Sequence, residues 1–167
     1  MPLSIGFLTY GDLPPSRLIA LARLLEELGY DWLWHADEKF HRDPWVTLPL
    51  IAKNTSKLGL GIAVTEPYSR HPALIAMAVA TLAEVAPNRL ILGLGAGGPG
   101  FPAMGIERKH PAETLRHAIG IIRSMLAGES STVSNEILTT RNAQLSFESH
   151  AHIPIILGTR SKYILQL

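Results

Sequence analysis

A glycine-rich stretch in the middle of the chain has a spacing that can serve phosphate binding. Residues 90–100, LILGLGAGGPG, contain the pattern G-x-G-x-x-G at Gly93, Gly95 and Gly98, which in dinucleotide-binding domains brings a pyrophosphate to the start of a helix. Here prolines follow, the helical pattern resumes only near Pro111, and no acidic residue ends a strand about 20 residues later, where a ribose carboxylate belongs. The stretch therefore favours a strand end that admits a flat ligand or a loop close to the backbone.

Other residues with useful chemistry follow short apolar runs elsewhere in the chain. The carboxyl ends of parallel strands share one rim of a sheet, and ligands bind there, so we expect these residues to gather at one site. They are His35, Asp37 and Glu38 after the second run, Thr65 and Glu66 after the third, Gly95, Gly97 and Gly98 after the fourth, and Gly158, Thr159, Arg160 and Ser161 after the fifth.

Several polar residues also have a purely structural interpretation. Asp37 is equally compatible with capping a loop or a helix, and the alternation of His35 with Leu33 favours a histidine buried in the core. His71 precedes a proline at a predicted helix start and fits a cap. Apart from HAH at 150–152 in a polar loop, the seven histidines lack the paired spacing of metal ligands, so no metal site is predicted.

Alternating strands and helices are needed to position these residues. Asp43 is the expected N-cap of the second predicted helix, at 43–57. Five apolar runs predict strands at 3–8, 31–37, 58–64, 89–95 and 153–158, helical patterns fill 14–29, 43–57, 71–87 and 110–128, a polar segment at 129–149 suggests a small hairpin, and 161–167 begins another helix. Continuously apolar strands separated by helices indicate a parallel α/β sheet, either doubly wound or part of a (β/α)8 barrel.

The composition limits the class of protein. The chain has 167 residues, 47% of them hydrophobic and 17% charged, with a net charge of +1 and no cysteine. These values fit one globular domain and give no reason to expect nucleic acid or a membrane as a partner. The lack of cysteine excludes thiolate catalysis and is compatible with the cytoplasm, and we expect no signal peptide or membrane span.

Three longer segments carry a family resemblance. They are GIAVTEPYSRHPALIAMAVATLAEVAPNRLILGLGAG at 61–97, DPWVTLPLIAKNTSKLGLG upstream and IPIILGTRS downstream. In them the chain resembles the bacterial luciferase-like monooxygenase superfamily, closest to the deazaflavin (coenzyme F420)-dependent branch typified by methylenetetrahydromethanopterin reductase. The resemblance implies a (β/α)8 barrel that binds FMN or coenzyme F420 at the carboxyl ends of its strands. It also implies hydride transfer between that ring and a small-molecule substrate, or oxygen activation on a reduced flavin.

The resemblance also implies roles for individual residues. Asp37 would meet the polar edge of the ring system or its side chain, and Glu38 stands where some dehydrogenase members carry a histidine, as a candidate acid or base. Gly98 stands where some members carry a glutamate, which disfavours a sugar-phosphate or alcohol dehydrogenase mechanism of that kind. A non-prolyl cis peptide is expected at or near Ala63–Val64 under the ring, with Thr65 beside the cofactor, Gly95, Ala96 and Gly97 lining other approaches, and Gly158, Thr159, Arg160 and Ser161 holding the phosphate through backbone N–H groups and the arginine charge.

The length of the chain leaves two function classes open. Family members run to about twice this length, and five strand–helix units cannot close a barrel. We therefore expect a single, incomplete barrel domain over residues 1–167, with open strand edges covered by a homodimer or a complementary chain. Helices near 44–55 and 72–85 are apolar enough for a dimer contact. The chain is then either a truncated oxidoreductase or a non-catalytic half-barrel that binds a partner.

Overall fold

The computed structural model describes residues 3–149 and 152–166, and they form a parallel sheet covered by helices on one face. Five strands lie in the order β1-β2-β3-β4-β7, with every neighbouring pair parallel. The elements are β1 Gly6–Thr9, α1 Pro15–Glu27, β2 Trp32–His35, α2 Pro44–Asn54, β3 Gly59–Thr65, α3 Pro72–Val85, β4 Leu90–Gly95, α4 Pro111–Leu126, β5 Ser131–Ser134, β6 Thr139–Ala143 and β7 Ile155–Gly158. The five predicted strands, the first four predicted helices and the β5–β6 hairpin are confirmed.

Each of these helices begins with a proline, whose fixed φ suits the first helical position. Asp43 caps α2, since its Oδ1 accepts from the N–H of Trp45 at 2.7 Å. His71 caps α3, since its Nδ1 accepts from the N–H of Ala73 at 3.2 Å. Both caps agree with the prediction. Together they set the direction in which the chain leaves the carboxyl ends of β2 and β3.

The core lies between the helices and one face of the sheet. Leu33, Leu60 and Leu92 point to that face and are no more than 1% exposed. Burying a side chain of this size contributes about 1.5–3 kcal/mol to folding. The helices supply the opposite layer, which includes Leu18, Leu48, Ile51, Ile75, Val79, Leu115, Ile121 and Ile122. This layer keeps the strands, and therefore the residues that follow them, in fixed positions.

The other face of the sheet is open and carries two stacked tryptophans. The rings of Trp32 and Trp34 lie 5.8 Å apart at 29°, and they cover glycines of β3: a Cβ at Gly59 or Gly61 would overlap the Trp32 or Trp34 ring. At the edge strands, Leu8 is 44% and Ile156 is 41% exposed. This is the inward face of the expected barrel, and these strands leave it uncovered.

The last element of the chain differs from the prediction. Instead of an α-helix from residue 161, the chain forms a short 3-10 turn at Ile164–Gln166. A single turn of this kind has too few residues for its periodicity to be told from that of a helix start.

In residues 3–149 and 152–166, no helix has the length and apolar character required to cross a membrane.

Candidate functional site

The carboxyl ends of β2, β3, β4 and β7 enclose a cavity of about 210 Å³, here called the rim cavity. It is lined by Ala36, Asp37, Glu38, Lys39, Ala63, Val64, Glu66, Gly95, Ala96, Gly97, Gly98 and Gly158. Most of the predicted site residues are therefore brought together. Thr65 lies behind the wall, fully buried, and contacts the cavity through Asp37.

The floor of the rim cavity is built around Val64. The peptide between Ala63 and Val64 is cis, as expected from the family resemblance. The Val64 side chain packs against three glycines: a Cβ at Gly95 would lie 2.5 Å from it, and a Cβ at Gly93 or Gly158 would lie 2.9 Å from it. A larger residue at Gly95 or Gly158 would displace Val64, and at Gly93 it would first collide with the backbone carbonyl oxygen of Ile62. The glycines of β4 and β7 are therefore required by packing.

This geometry also decides how the glycine pattern is used. β4 is followed by a loop and a short 3-10 turn at Pro102–Met104, and the next α-helix begins only at Pro111. The loop residue Gly97 has φ +77°, and a side chain there would overlap the ring of Phe101. No helix starts at Gly98. The dinucleotide-binding interpretation is therefore wrong, and the strand-end interpretation agrees with the structure.

Asp37 is held in place from two sides. Its Oδ2 accepts from the Thr65 hydroxyl at 2.6 Å, which joins the ends of β2 and β3. Its Oδ1 lies 3.3 Å from the ammonium of Lys39. The Asp37 side chain is 12% exposed, so these contacts fix a carboxylate at the wall of a cavity, where it can accept a further hydrogen bond. Asp37 is not a helix cap.

Lys39 was not predicted as a site residue, and neither Lys39 nor Glu66 was assigned a role. The Lys39 ammonium lies 3.0 Å from Oε1 of Glu66, and the Lys39 side chain is only 15% exposed. Glu66 is 2% exposed, and its Oε2 accepts from the N–H groups of Tyr68 and Ser69 at 2.7 and 3.0 Å. The Ser69 hydroxyl donates to Oε1. Its position two residues after Asp37 is the sequence feature that could have identified Lys39 as a site residue.

Glu38 differs from Glu66 in having no fixed partner. It is partly buried, and within residues 3–149 and 152–166 no hydrogen bond or ion pair holds its carboxylate. Glu38 lines the rim cavity and also an outer cavity of about 490 Å³, which shares Asp37, Glu38 and Lys39 with it. The outer cavity is completed by Phe40, His41, Asp43, Ser69, Arg70, Leu74 and Met104. An unpaired carboxylate between two cavities can exchange a proton with a ligand in either one.

A third, arginine-containing cavity of about 840 Å³ adjoins the rim cavity on the other side. The two share Ala96, Gly97 and Gly158. Arg160, Thr159 and Ser161 line this arginine cavity as predicted, and so does Arg108, which the sequence analysis did not single out. The N–H of Ser161 donates to the Thr159 hydroxyl at 2.9 Å. That N–H is therefore already used, and the two arginine side chains are the positively charged donors that line this cavity.

His35 lies on the helix-facing side of β2 and away from the cavities. It is fully buried, and its Nδ1 lies 2.6 Å from the Thr9 hydroxyl. Its Nε2 is buried without a hydrogen-bond partner. Burial lowers the pKa of His35, although Asp37, Asp12 and Asp43 act in the opposite direction. The prediction of a core histidine is confirmed, but only one of its two ring nitrogens is paired.

Metal binding is not indicated by the part of the chain that the structure describes. No group of three or more His, Asp or Glu residues in that part could hold a metal ion. His150 of the HAH motif lies outside the described residues.

Known proteins share both this fold and this sequence pattern. Residues 4–167 match the family model of the luciferase-like monooxygenases. The structure of coenzyme F420-dependent tetrahydromethanopterin reductase from Methanopyrus kandleri superimposes with a TM-score of 0.91 at 26% identity, covering 99% of this chain and 53% of that one. The five-stranded parallel sheet and its helices thus correspond to about half of a barrel-like enzyme structure. The chain belongs to the luciferase-like monooxygenase family.

Similar proteins are known from curated sequences and from solved structures. A 5,10-methylenetetrahydromethanopterin reductase of Methanolobus tindarius is 36% identical over 155 residues, which cover 92% of this chain and 47% of that protein. An F420-dependent glucose-6-phosphate dehydrogenase of Kineococcus radiotolerans is 32% identical over 178 residues, covering 94% and 51%. A 3,6-diketocamphane monooxygenase component from Pseudomonas putida, in complex with FMN, shares the fold at a TM-score of 0.79 and 16% identity, covering 94% and 51%. The chain spans about half the length of the curated relatives it matches.

Proposed function

We propose that this chain is one half of an oxidoreductase that binds coenzyme F420 or FMN at the rim of the sheet and acts on a small-molecule substrate. The continuity of three cavities supports this proposal. The rim cavity shares residues with the arginine cavity on one side and with the outer cavity on the other. A planar ring, its phosphate-bearing side chain and a substrate need three adjoining compartments of this kind.

The walls of the rim cavity fit a planar heterocycle. Val64 and Ala96 give apolar surfaces, and the glycines of β4 and β7 leave the backbone accessible. Polar groups lie on one side only, where Asp37 offers an acceptor and Lys39 a donor. Apolar walls with a few placed polar groups are typical of cofactor sites.

The arginine cavity fits the phosphate of either cofactor. Arg108 and Arg160 both line it, and guanidinium groups bind phosphate through charge-assisted hydrogen bonds. The N–H groups of Thr159 and Arg160 add donors from the backbone after β7. This assignment keeps the predicted phosphate-binding role of residues 158–161. The arginine charges then contribute more to phosphate binding than the backbone N–H groups of the expected helix start.

The chain's own groups would orient the ring and manage protons. When bound, the cofactor gives or accepts a hydride. Asp37, held by the Thr65 hydroxyl, would accept a hydrogen bond from an N–H of the ring. Glu38, unpaired between the rim and outer cavities, transfers a proton to or from the substrate.

Titration of the purified 167-residue chain with FMN and with coenzyme F420, followed by ring fluorescence, tests the proposal. We expect Asp37→Asn and Arg160→Gln each to raise the dissociation constant about tenfold, because each removes a hydrogen bond to a charged group. Arg123→Gln is the control, since Arg123 lies in the last turn of α4, away from the site. If the wild type binds neither ring, the alternative of a non-catalytic half-barrel replaces this proposal.

We also propose that the chain self-associates through α2 and α3. Large apolar side chains are exposed on these helices: Val46 at 63%, Leu50 at 41%, Leu74 at 47% and Met77 at 46%. Contiguous exposed apolar surface of this kind marks protein contacts. The open inner face and the edge strands β1 and β7 offer a separate surface for a complementary chain.

A further inference from the structure

Lys39 occupies an unusual position for a lysine in a loop. Its side chain is 15% exposed, and its stem crosses the backbone of the loop after β4: a Cβ at Gly100 would collide with Lys39 Cβ and lie 2.8 Å from its Cγ. A lysine with a free choice of rotamers would extend into water, because holding this side chain costs conformational entropy. The fold instead holds the ammonium between the carboxylates of Asp37 and Glu66, in a residue that lines the rim cavity.

The partners of Lys39 leave one of its three N–H donors unused. Its Nζ lies 3.3 Å from Oδ1 of Asp37 and 3.0 Å from Oε1 of Glu66. No other hydrogen bond or ion pair of Nζ occurs within residues 3–149 and 152–166. An ammonium has three donors and no acceptor, and Lys39 lines the rim cavity. One charged N–H is therefore available to a ligand there.

Glu66 fixes where that donor points. The Glu66 carboxylate is anchored by the N–H groups of Tyr68 and Ser69 and by the Ser69 hydroxyl, so it holds Lys39 from the side of β3. Asp37 holds it from the side of β2. A carboxylate acceptor and an ammonium donor thus lie next to each other on one wall. This pair complements an N–H flanked by a carbonyl, which is the cyclic imide edge common to flavins and deazaflavins.

We propose that Lys39 is a further cofactor-binding residue, which donates its third N–H to a carbonyl oxygen of the imide edge beside the N–H that Asp37 accepts. This inference rests on the proposed function. The positive charge near the imide stabilises the reduced ring, which carries more electron density there, more than the oxidised ring. Lys39 therefore raises the reduction potential of the bound ring in addition to strengthening its binding.

The test measures both affinity and midpoint potential of bound FMN and bound coenzyme F420 for four proteins besides the wild type. Lys39→Met keeps the stem over Gly100 but removes the donor, and Lys39→Arg restores charge and donors. Lys57→Met is the matched control, because Lys57 is exposed and precedes β3 at the opposite end of the sheet. The double variant Lys39→Met/Glu66→Gln removes one positive and one negative charge, so it preserves the net charge of the wall.

We expect Lys39→Met to bind the oxidised ring about tenfold more weakly and the reduced ring more weakly still, which lowers the midpoint potential. Lys39→Arg should recover much of both, and Lys57→Met should match the wild type. The double variant should stay impaired. If it recovers the wild-type affinity and potential, Lys39 acts only by neutralising Glu66, and the inference is wrong.

Failure of the inference and failure of the proposed function give different results. Ring binding by the wild type with unchanged affinity and potential in Lys39→Met overturns only the role of Lys39. Absence of ring binding by the wild type overturns both. Far-UV circular dichroism checks the fold of each variant. If Lys39→Met does not fold, the affinity and midpoint potential of the double variant decide whether Lys39 binds the ring.

Discussion

The half-paired His35 makes the stability of this chain depend on pH in a defined direction. His35 is fully buried with Nε2 unpartnered, and burial lowers its pKa from the usual 6.5 despite the opposing effect of three aspartates. Protonation would place a charge in the core with only the Thr9 hydroxyl beside it. The neutral ring is therefore the form that the folded chain accommodates.

The sign and size of the effect follow from proton binding in the two states. Between the lowered folded pKa and 6.5, the unfolded chain binds more protons at this site than the folded chain, so stability falls as the pH falls. Above pH 6.5 the site has little effect. At pH 5.5, one unit below the unfolded value, the loss reaches at most about 1.4 kcal/mol.

Comparison of the wild type with His35→Asn isolates this contribution. Asn carries its amide at the position of the ring Nδ1 that contacts Thr9 but cannot be protonated, and the other histidines contribute equally to both proteins. We expect the wild type to lose stability relative to the variant between pH 7.5 and 5.5, by up to about 1.4 kcal/mol, as measured by urea unfolding at several pH values. A difference between the two proteins that does not change with pH would refute the reasoning.

Three further predictions concern the framework and its contacts. The Glu26 carboxylate accepts hydrogen bonds from the N–H groups at residues 56–58, and although burial acts in the opposite direction, these bonds lower its pKa. Glu26→Gln should therefore reduce the free energy of unfolding by about 1 kcal/mol at pH 7, after discounting for solvent. In urea unfolding this difference between the two proteins should vanish as the pH falls below 4.5. Gly61→Ala forces a methyl group into the Trp34 ring and should destabilise the folded chain by about 1–3 kcal/mol. Gly120→Ala in α4 has open space around it and should stabilise the folded chain by about 0.5–1 kcal/mol. Equal melting temperatures for these two variants would contradict the packing described for the inner face. Leu74→Glu should shift a self-associated chain to monomer in sedimentation velocity, and an unchanged distribution would remove α3 from the proposed contact.

The elements that position the site follow from local sequence signals. Strands covered by helices are apolar at nearly every position, and β3 and β4 therefore stand out in the sequence. Caps and N-terminal prolines mark the helix starts, as with Asp43 and His71. The one misjudged element is the last, where residues 161–167 give too short a pattern to separate an α-helix from the 3-10 turn at Ile164–Gln166.

The polar side of the site depends on contacts between distant parts of the chain. No role was predicted for Lys39, and only the pairing of β2 with β3 brings it against Glu66. Arg108 is separated from Arg160 by the whole of α4 and the hairpin, and no spacing rule links them. Gly93 and Gly95 show the converse. Their pattern suggests phosphate binding, but Gly93 faces the Ile62 carbonyl oxygen and Val64, and Gly95 faces the Val64 side chain.

Hydrogen bonding separates the two glutamates at the rim into different roles. A carboxylate at 2% exposure, such as Glu66, is tolerated only with partners that replace water, and two N–H groups, a hydroxyl and an ammonium supply them. Those bonds occupy both carboxylate oxygens of Glu66 and fix its position. Glu38 has none of these partners in the described part of the chain and borders two cavities. The same rim therefore contains one carboxylate that is fixed as an anchor for Lys39 and one, Glu38, that has no fixed partner in the described part of the chain.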